Sequence, residues 1–222
     1  MKKYWRILLP LILLLVLIPL LLLMYLRPRS GADTEQSEGG LLLAKPVIYL
    51  YPESETEVTV TLDCDGALTC AYPAYEDGWT VTAAPDGTLT DAAGQTYNYL
   101  YWEGASHSEF DFSSGFCVPG TDTAAFLEEA LAALGLTRKE ANEFIVYWLP
   151  RMEANAYNLI SFQGPAYTDR ARLSICPEPD GILRVFMAWK ALDAPVEVPA
   201  QSLPAFARTG FTVVEWGGCQ VS

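Results

Sequence analysis

The spacing of hydrophobic positions changes several times along the chain. An uncharged apolar run, Ile7 to Leu26, is followed by polar residues 27–40. From there to residue 118, apolar and polar residues alternate in segments such as "TEVTVTL", which is typical of strands with one buried face. Residues 121–150 instead place apolar side chains at helical spacing, and the last third of the chain returns to strand-like segments. This order predicts strands, then helices, then strands again.

Two helices are predicted in the middle of the chain. In "TDTAAFLEEALAALG" the apolar residues form one stripe, and Gly135 stands where a C-cap glycine belongs. Thr137 and Glu140 have the spacing of a capping box that opens a second helix, and Pro150 is expected to end it. The predicted fold class is therefore α+β: a largely antiparallel sheet, or sheets, with a central αα-hairpin packed on one face.

The apolar run is long enough to be a transmembrane helix. Its 20 residues, at ~1.5 Å per residue, span the ~30 Å hydrocarbon core of a bilayer. The alternative is a cleaved signal peptide, which usually has a shorter apolar core and ends at small residues that "MYLRPRS" lacks. We therefore predict a lipid-embedded anchor at residues 7–26, preceded by a cytoplasmic tail at residues 1–6.

The flanking charges predict the orientation of this anchor. Three basic residues precede it and two follow it, and basic residues favour the cytoplasmic side. We expect a single-pass protein of the cell membrane with a cytoplasmic N-terminus. Residues 27–40 have the composition of a flexible linker. Residues 41–222 are long enough for one extracytoplasmic domain with its own core.

The chain beyond the anchor is strongly acidic. Residues 31–222 contain nine basic and 27 acidic residues, a net charge of −18, which excludes nucleic acid as a partner. In an oxidising compartment an even number of the five cysteines could pair. Cys64 and Cys70 flank a short connection and could form a disulfide across a hairpin, although a tight two-residue turn would misalign them. No zinc-site spacing is present, and neither a metal ion nor a cofactor is predicted.

The single histidine, His107, would be the base of any serine or cysteine hydrolase that uses one. Cys117 would be its most attractive partner, and Glu103 or Asp111 could orient the ring. The chain contains neither a G-x-S-x-G elbow nor a cysteine-protease signature. The segment "ASHSEFDFSSG" has the composition of an exposed loop, in which a lone histidine is ordinary. We therefore favour a solvated loop over a catalytic triad.

Three carboxylates lie close to tryptophans in the sequence: Glu103, Glu153 and Glu215. Glycoside hydrolysis uses two facing carboxylates, one as the acid and one as the nucleophile or base. The same residues could bind a glycan without hydrolysing it. They could also be solvated or ion-paired side chains beside core tryptophans. Whether the protein is an enzyme therefore stays open.

Tyrosines alternate with other residues in two segments, "YNYLYWE" (97–103) and "VIYLY" (47–51). If the two strands are neighbours, their tyrosines line one sheet face that could bind a ligand. The other interpretation, which we favour, is that these rings lie beneath the helical hairpin, with their hydroxyls reaching buried backbone groups. The candidate binding residues are Tyr99, Tyr101 and Trp102.

The blocks "KPVIYLYPE", "YLYWEG", "EFIVYWLPRMEANAYN" and "VEWGG" together resemble an uncharacterised family of secreted or membrane-anchored microbial proteins. The resemblance covers most of residues 45–218 and implies that they form one domain. It implies no activity and assigns no site residue. We favour a cell-surface binding or interaction module for a glycan or protein ligand. The alternative is a surface hydrolase that acts on glycans or peptides through a carboxylate pair.

Overall fold

A computed structural model describes residues 41–106 and 109–221 of the 222-residue chain. These residues form an α+β domain in which one large sheet lies between two hydrophobic cores. The predicted tail, anchor and linker (residues 1–40) and His107 lie outside the described residues. Within the part that the structure describes, no helix is long and apolar enough to cross a membrane.

The described chain forms two sheets. The strands are β1 Leu41–Tyr51, β2 Thr56–Cys64, β3 Gly66–Tyr72, β4 Trp79–Ala83, β5 Leu89–Thr90, β6 Thr96–Tyr97, β7 Leu100–Ser106, β8 Phe116–Pro119, β9 Tyr157–Gln163, β10 Ala171–Cys176, β11 Gly181–Leu192 and β12 Thr212–Gln220. The large sheet has the order β3-β7-β1-β12-β11-β9-β8, and the small sheet has the order β10-β2-β4-β5-β6. Strands β11 and β12 are parallel, and the other paired strands are antiparallel.

The helices are α1 Thr123–Leu134, α2 Arg138–Met152 and the short α3 Pro165–Thr168. Helices α1 and α2 form the predicted hairpin and pack on one face of the large sheet. Gly135 ends α1 in a left-handed conformation with φ 103°, and the capping box of Thr137 and Glu140 opens α2. Phe144 of α2 meets Trp216 of β12 with ring centroids 5.3 Å apart.

Two local predictions are corrected by the structure. Pro150 does not end α2, which continues to Met152, because a proline in the last turn removes only one backbone hydrogen bond from a fraying end. Cys64 and Cys70 do not face each other across a hairpin, since β2 belongs to the small sheet and β3 to the large one. Both cysteines have free thiols in the structure.

The small sheet covers the other face of the large sheet. Trp79 of the small sheet and Trp102 of the large sheet are both buried in the core between them. Because successive residues of a strand point to opposite faces, the central strands supply both cores. Strand β12, for example, places Trp216 beneath the helices and Val213 between the sheets. This alternation decides which of the candidate residues can meet.

Candidate functional site

Strands β1 and β7 are neighbours, and their tyrosines share the helix-facing side of the large sheet. The rings of Tyr49 and Tyr99 meet edge to face with centroids 5.3 Å apart, and Tyr101 packs against the same core. Tyr97 instead belongs to β6 of the small sheet. Trp102 points into the core between the sheets and is fully buried. Of the three predicted binding residues, Tyr99 and Tyr101 therefore share a face, and Trp102 does not.

A bulge in β1 brings Lys45 onto these tyrosines. The register of β1 against both neighbouring strands shifts at this point, and Lys45 has φ 58°, a value that non-glycine residues seldom adopt. Its ammonium lies 4.8 Å from the ring centroid of Tyr99 and 5.1 Å from that of Tyr101. It also donates a hydrogen bond of 3.2 Å to the Tyr99 hydroxyl. The backbone N–H of Lys45 donates to the Glu103 carboxylate at 3.3 Å.

Helix α2 borders this site with Tyr147, whose ring centroid lies 4.1 Å from the guanidinium carbon of Arg151. Burial and the neighbouring Glu103 carboxylate raise the pKa of Tyr101 well above its ordinary range. Burial also raises the pKa of Tyr147. We call Lys45, Tyr99, Tyr101, Glu103 and Tyr147 the tyrosine surface. All five side chains are half-buried, so they are held in place and still accessible to a ligand.

Tyr49 and Tyr51 lie beneath α2, as the structural alternative predicted for the tyrosines. The Tyr49 hydroxyl donates to Glu143 at 2.8 Å and the Tyr51 hydroxyl to Glu140 at 2.7 Å. Burial and these carboxylates raise the pKa of both phenols. Burial of Glu140 by itself raises the pKa of its carboxyl, but Arg208, the capping amide and Tyr51 together lower the pKa below its usual value. These contacts fix α2 against β1.

The three predicted carboxylates do not converge. Glu103 lies on the helix-facing side of β7, whereas Glu215 of β12 points between the two sheets. Glu153 is exposed at the end of α2, where its backbone lies beside Gly120 next to β8. Strands β7 and β8 are five strand positions apart, which is roughly 24 Å at ~4.8 Å per strand. The predicted acid–base pair is therefore not assembled from these residues.

Glu215 is instead one member of a buried polar cluster. Its carboxylate accepts a hydrogen bond of 2.6 Å from Arg184 Nε and one of 3.2 Å from Trp102 Nε1. The Tyr167 ring centroid lies 4.8 Å from the Arg184 guanidinium carbon. Burial and the Glu215 charge raise the pKa of the Tyr167 hydroxyl. That hydroxyl and Arg184 Nη2 have no hydrogen-bond partner among the described residues.

Sequence reasoning missed the partners of Glu215. The signal was present, because "ILRVF" and "VVEW" each carry a single charge within a fully apolar strand. Pairing these two charges required the parallel register that places Arg184 beside Glu215. Strands distant in sequence give no local indication of that register.

Two concavities lie elsewhere on the domain. One of about 480 Å³ lies where β1 ends and α2 begins, and includes Tyr51, Lys139 and Arg208 in its lining. Arg208 is already paired with the buried Glu140. The other, of about 450 Å³, runs along β8 beside Cys117. A pairing of Cys117 with His107 stays a prediction, since His107 is outside the described residues. Within residues 41–106 and 109–221, no group of three or more metal-ligating side chains is close enough to hold an ion.

The chain is similar to a curated protein of Butyrivibrio fibrisolvens, an uncharacterized protein in the bglA 3′ region. The two are 52% identical over 63 residues. The match covers 27% of this chain and 65% of the relative, so the chain spans less than two thirds of the relative's length. No family model matches the chain, and no solved structure matches it. Because this relative is itself uncharacterized, function has to be inferred from the chemistry of the tyrosine surface.

Proposed function

We propose that the protein is a membrane-anchored binding module that holds a ligand at the tyrosine surface, on a domain outside the cytoplasm. The supporting observation is that Tyr99, Tyr101 and Tyr147 remain half-exposed around Lys45 and Glu103. Tyrosine combines a large apolar ring with a polar tip and loses little conformational entropy on binding.

The backbone of Lys45 adds to this support. Its positive φ costs roughly 1–3 kcal/mol, and such strain is concentrated at functional sites. The separated carboxylates Glu103, Glu153 and Glu215 give no comparable support to a glycan or peptide hydrolase.

Binding can be tested with arrays of oligosaccharides and of short peptides, probed with the full chain in detergent micelles. We expect retention on one of these ligand classes and its loss in Tyr101→Ala. Tyr157→Ala is the matched control, because Tyr157 is also a half-buried strand tyrosine but lies on β9 near the opposite edge of the sheet. Retention that survives Tyr101→Ala, or no retention on either array, would count against a ligand site at the tyrosine surface.

The location of the domain can be tested through Cys176, which is exposed on β10. In intact cells, a membrane-impermeant maleimide should label the Cys64→Ser/Cys70→Ser/Cys117→Ser variant through Cys176, and it should not label the same variant with Cys176→Ser added, because the remaining Cys219 is buried. Labelling that requires permeabilised cells would place the domain in the cytoplasm and refute this part of the proposal.

A further inference from the structure

Strand β3 forms an open edge of the large sheet. Among the described residues it pairs only with β7, and six of its seven residues are exposed. Its sequence, "GALTCAY", contains neither a charge nor a proline. One register shift, between Leu68 and Cys70, is the only common edge-protecting feature in the strand. Soluble proteins usually protect an edge of this length with charges, prolines or a covering segment.

The opposite edge of the same sheet is covered. Strand β8 ends in Pro119, and the chain around residue 200 runs alongside its beginning. The Gly115 N–H donates to the Pro199 carbonyl at 2.9 Å, and Gly115 also pairs with Ala200 in a parallel bridge. The large sheet is therefore protected at the β8 edge, and the β3 edge is left open.

Strand β3 also adjoins the tyrosine surface. Cys70 pairs with Glu103 and Tyr72 pairs with Tyr101, and residues directly opposite each other in an antiparallel pair share one sheet face. A strand added to the free side of β3 would lie two strand spacings, about 10 Å, from β7. Every second side chain of the added strand would point to the same face as the tyrosine surface. Only the small Cys70 would lie between such a side chain and Glu103, whereas the large Tyr72 lies opposite Tyr101. Long side chains with a terminal charge can cross that distance.

The chemistry of the surface selects for cations. Lys45 covers the rings of Tyr99 and Tyr101, and Arg151 covers that of Tyr147, so the protein's own cations already occupy these ring faces. Tyrosine rings and a carboxylate attract ammonium and guanidinium groups. Residues 41–222 contain nine basic and 24 acidic residues. Five of the nine basic side chains are in ion pairs, which leaves the domain with a large excess of unpaired carboxylates.

We propose that β3 captures an extended, basic segment of a partner polypeptide by strand addition. The backbone of this segment pairs with β3, and every second side chain is a lysine or arginine, one of which reaches across Cys70 to Glu103. Lys45 is the internal competitor that the incoming cations displace. This inference rests on the proposed function and names the ligand class of the same surface.

The test uses a fluorescein-labelled nonapeptide of alternating lysine and threonine, with glutamate in place of lysine as the control peptide. Binding to the full chain in micelles is followed by fluorescence anisotropy at low salt. The lysine peptide should bind and the glutamate peptide should not. Two further lysine peptides carry backbone N-methyl groups, either on every lysine or on every threonine. Since the N–H groups of successive residues point to opposite edges of a strand, all the lysine N–H groups share one edge and all the threonine N–H groups share the other. One methylated peptide should therefore lose binding and the other should keep it.

Two substitutions test the contacts on the tyrosine surface. Glu103→Gln should weaken binding of the lysine peptide by up to about fivefold, the upper end of what losing a partly exposed charge pair costs. Lys45→Gln should strengthen it, because the competing cation is gone. Glu178→Gln removes an equal charge from an exposed loop after β10 and should leave binding unchanged.

Equal binding of the two N-methylated peptides, or failure of the lysine peptide to bind, would overturn strand addition. If both methylated peptides bind equally and Glu103→Gln weakens the binding of both, the tyrosine surface still binds a ligand. The proposed function then survives, and strand addition is refuted. If Glu103→Gln and Glu178→Gln weaken binding equally, the peptide is attracted by the overall negative charge and both ideas fail for this probe.

Discussion

Replacing Arg184 or Glu215 with an apolar residue should show that these two side chains stabilise the domain only as a pair. Glu215 is fully buried and the Arg184 side chain is 11% exposed. Removal of one partner of a buried ion pair typically costs about 3–5 kcal/mol, because the other charge is left without compensation. Glu215→Leu also leaves the Trp102 indole N–H without its acceptor, at about 1–3 kcal/mol. We therefore expect each of Glu215→Leu and Arg184→Met to lower the free energy of unfolding by at least ~3 kcal/mol.

The double variant should be far more stable than the sum of the single effects predicts. When both charges are replaced by apolar side chains, no buried charge is left uncompensated. The remaining cost in unfolding free energy is that of the Trp102 N–H without its acceptor, about 1–3 kcal/mol. The coupling energy between the two positions should therefore reach ~3 kcal/mol or more. Urea unfolding of the full chain in a mild detergent, followed by tryptophan fluorescence, measures each variant.

Arg172→Met is the matched control for this double-mutant cycle. Arg172 pairs with Asp63 at 2.8 Å on the surface, where the two side chains are 68% and 71% exposed, so its loss should change stability by less than ~1 kcal/mol. Additive effects of Arg184→Met and Glu215→Leu would show that the two charges do not depend on each other in the folded protein. The interpretation of this cluster as a mutually compensating buried pair would then be wrong.

Two further substitutions test the packing and the electrostatics of the domain. Gly218→Ala should destabilise it by at least ~2 kcal/mol in the same unfolding assay, since a Cβ there would lie 2.5 Å from a backbone oxygen and 2.8 Å from the Trp148 ring. A change within the ~0.5 kcal/mol typical of surface substitutions would contradict this. The pKa of Glu140 is lower in the folded state than in the unfolded state. Its ionised carboxylate therefore stabilises the folded state above the unfolded-state pKa of about 4.3, and this stabilisation is lost as the pH falls through the folded-state pKa. The stability difference between wild type and Glu140→Gln should therefore narrow on acidification from pH 6 to pH 3, and a constant difference would show that Glu140 does not titrate in this way.

The elements that could be predicted from the sequence are those specified by local patterns. The capping box at Thr137 and the glycine at position 135 mark helix ends by their own backbone requirements, and alternation in "TEVTVTL" marks β2. Strand β3 lacks such a pattern because six of its seven residues are exposed. The sequence therefore predicts only a short connection between Cys64 and Cys70. Its place in the large sheet depends on pairing with β7.

The candidate site was predictable only in part for the same reason. Alternation along the strand predicts that Tyr99 and Tyr101 share one face. It could not indicate that Lys45 would reach both rings, because that contact requires the bulge in β1. The separation of Glu103 from Glu215 likewise depends on which face of its strand each residue occupies. Proximity to tryptophan in the sequence does not specify the face.

The central position of β12 has a consequence for how the chain folds during its synthesis. Residues 212–220 lie between β1 and β11, which are separated from each other by about 130 residues of sequence. Until β12 has been made, the large sheet can exist only as two fragments, β3-β7-β1 and β11-β9-β8, each with a long apolar strand at an unpaired edge. Such edges aggregate readily. The nascent chain should therefore need a chaperone to shield β1 and β11 until residues 212–220 emerge and join the two fragments.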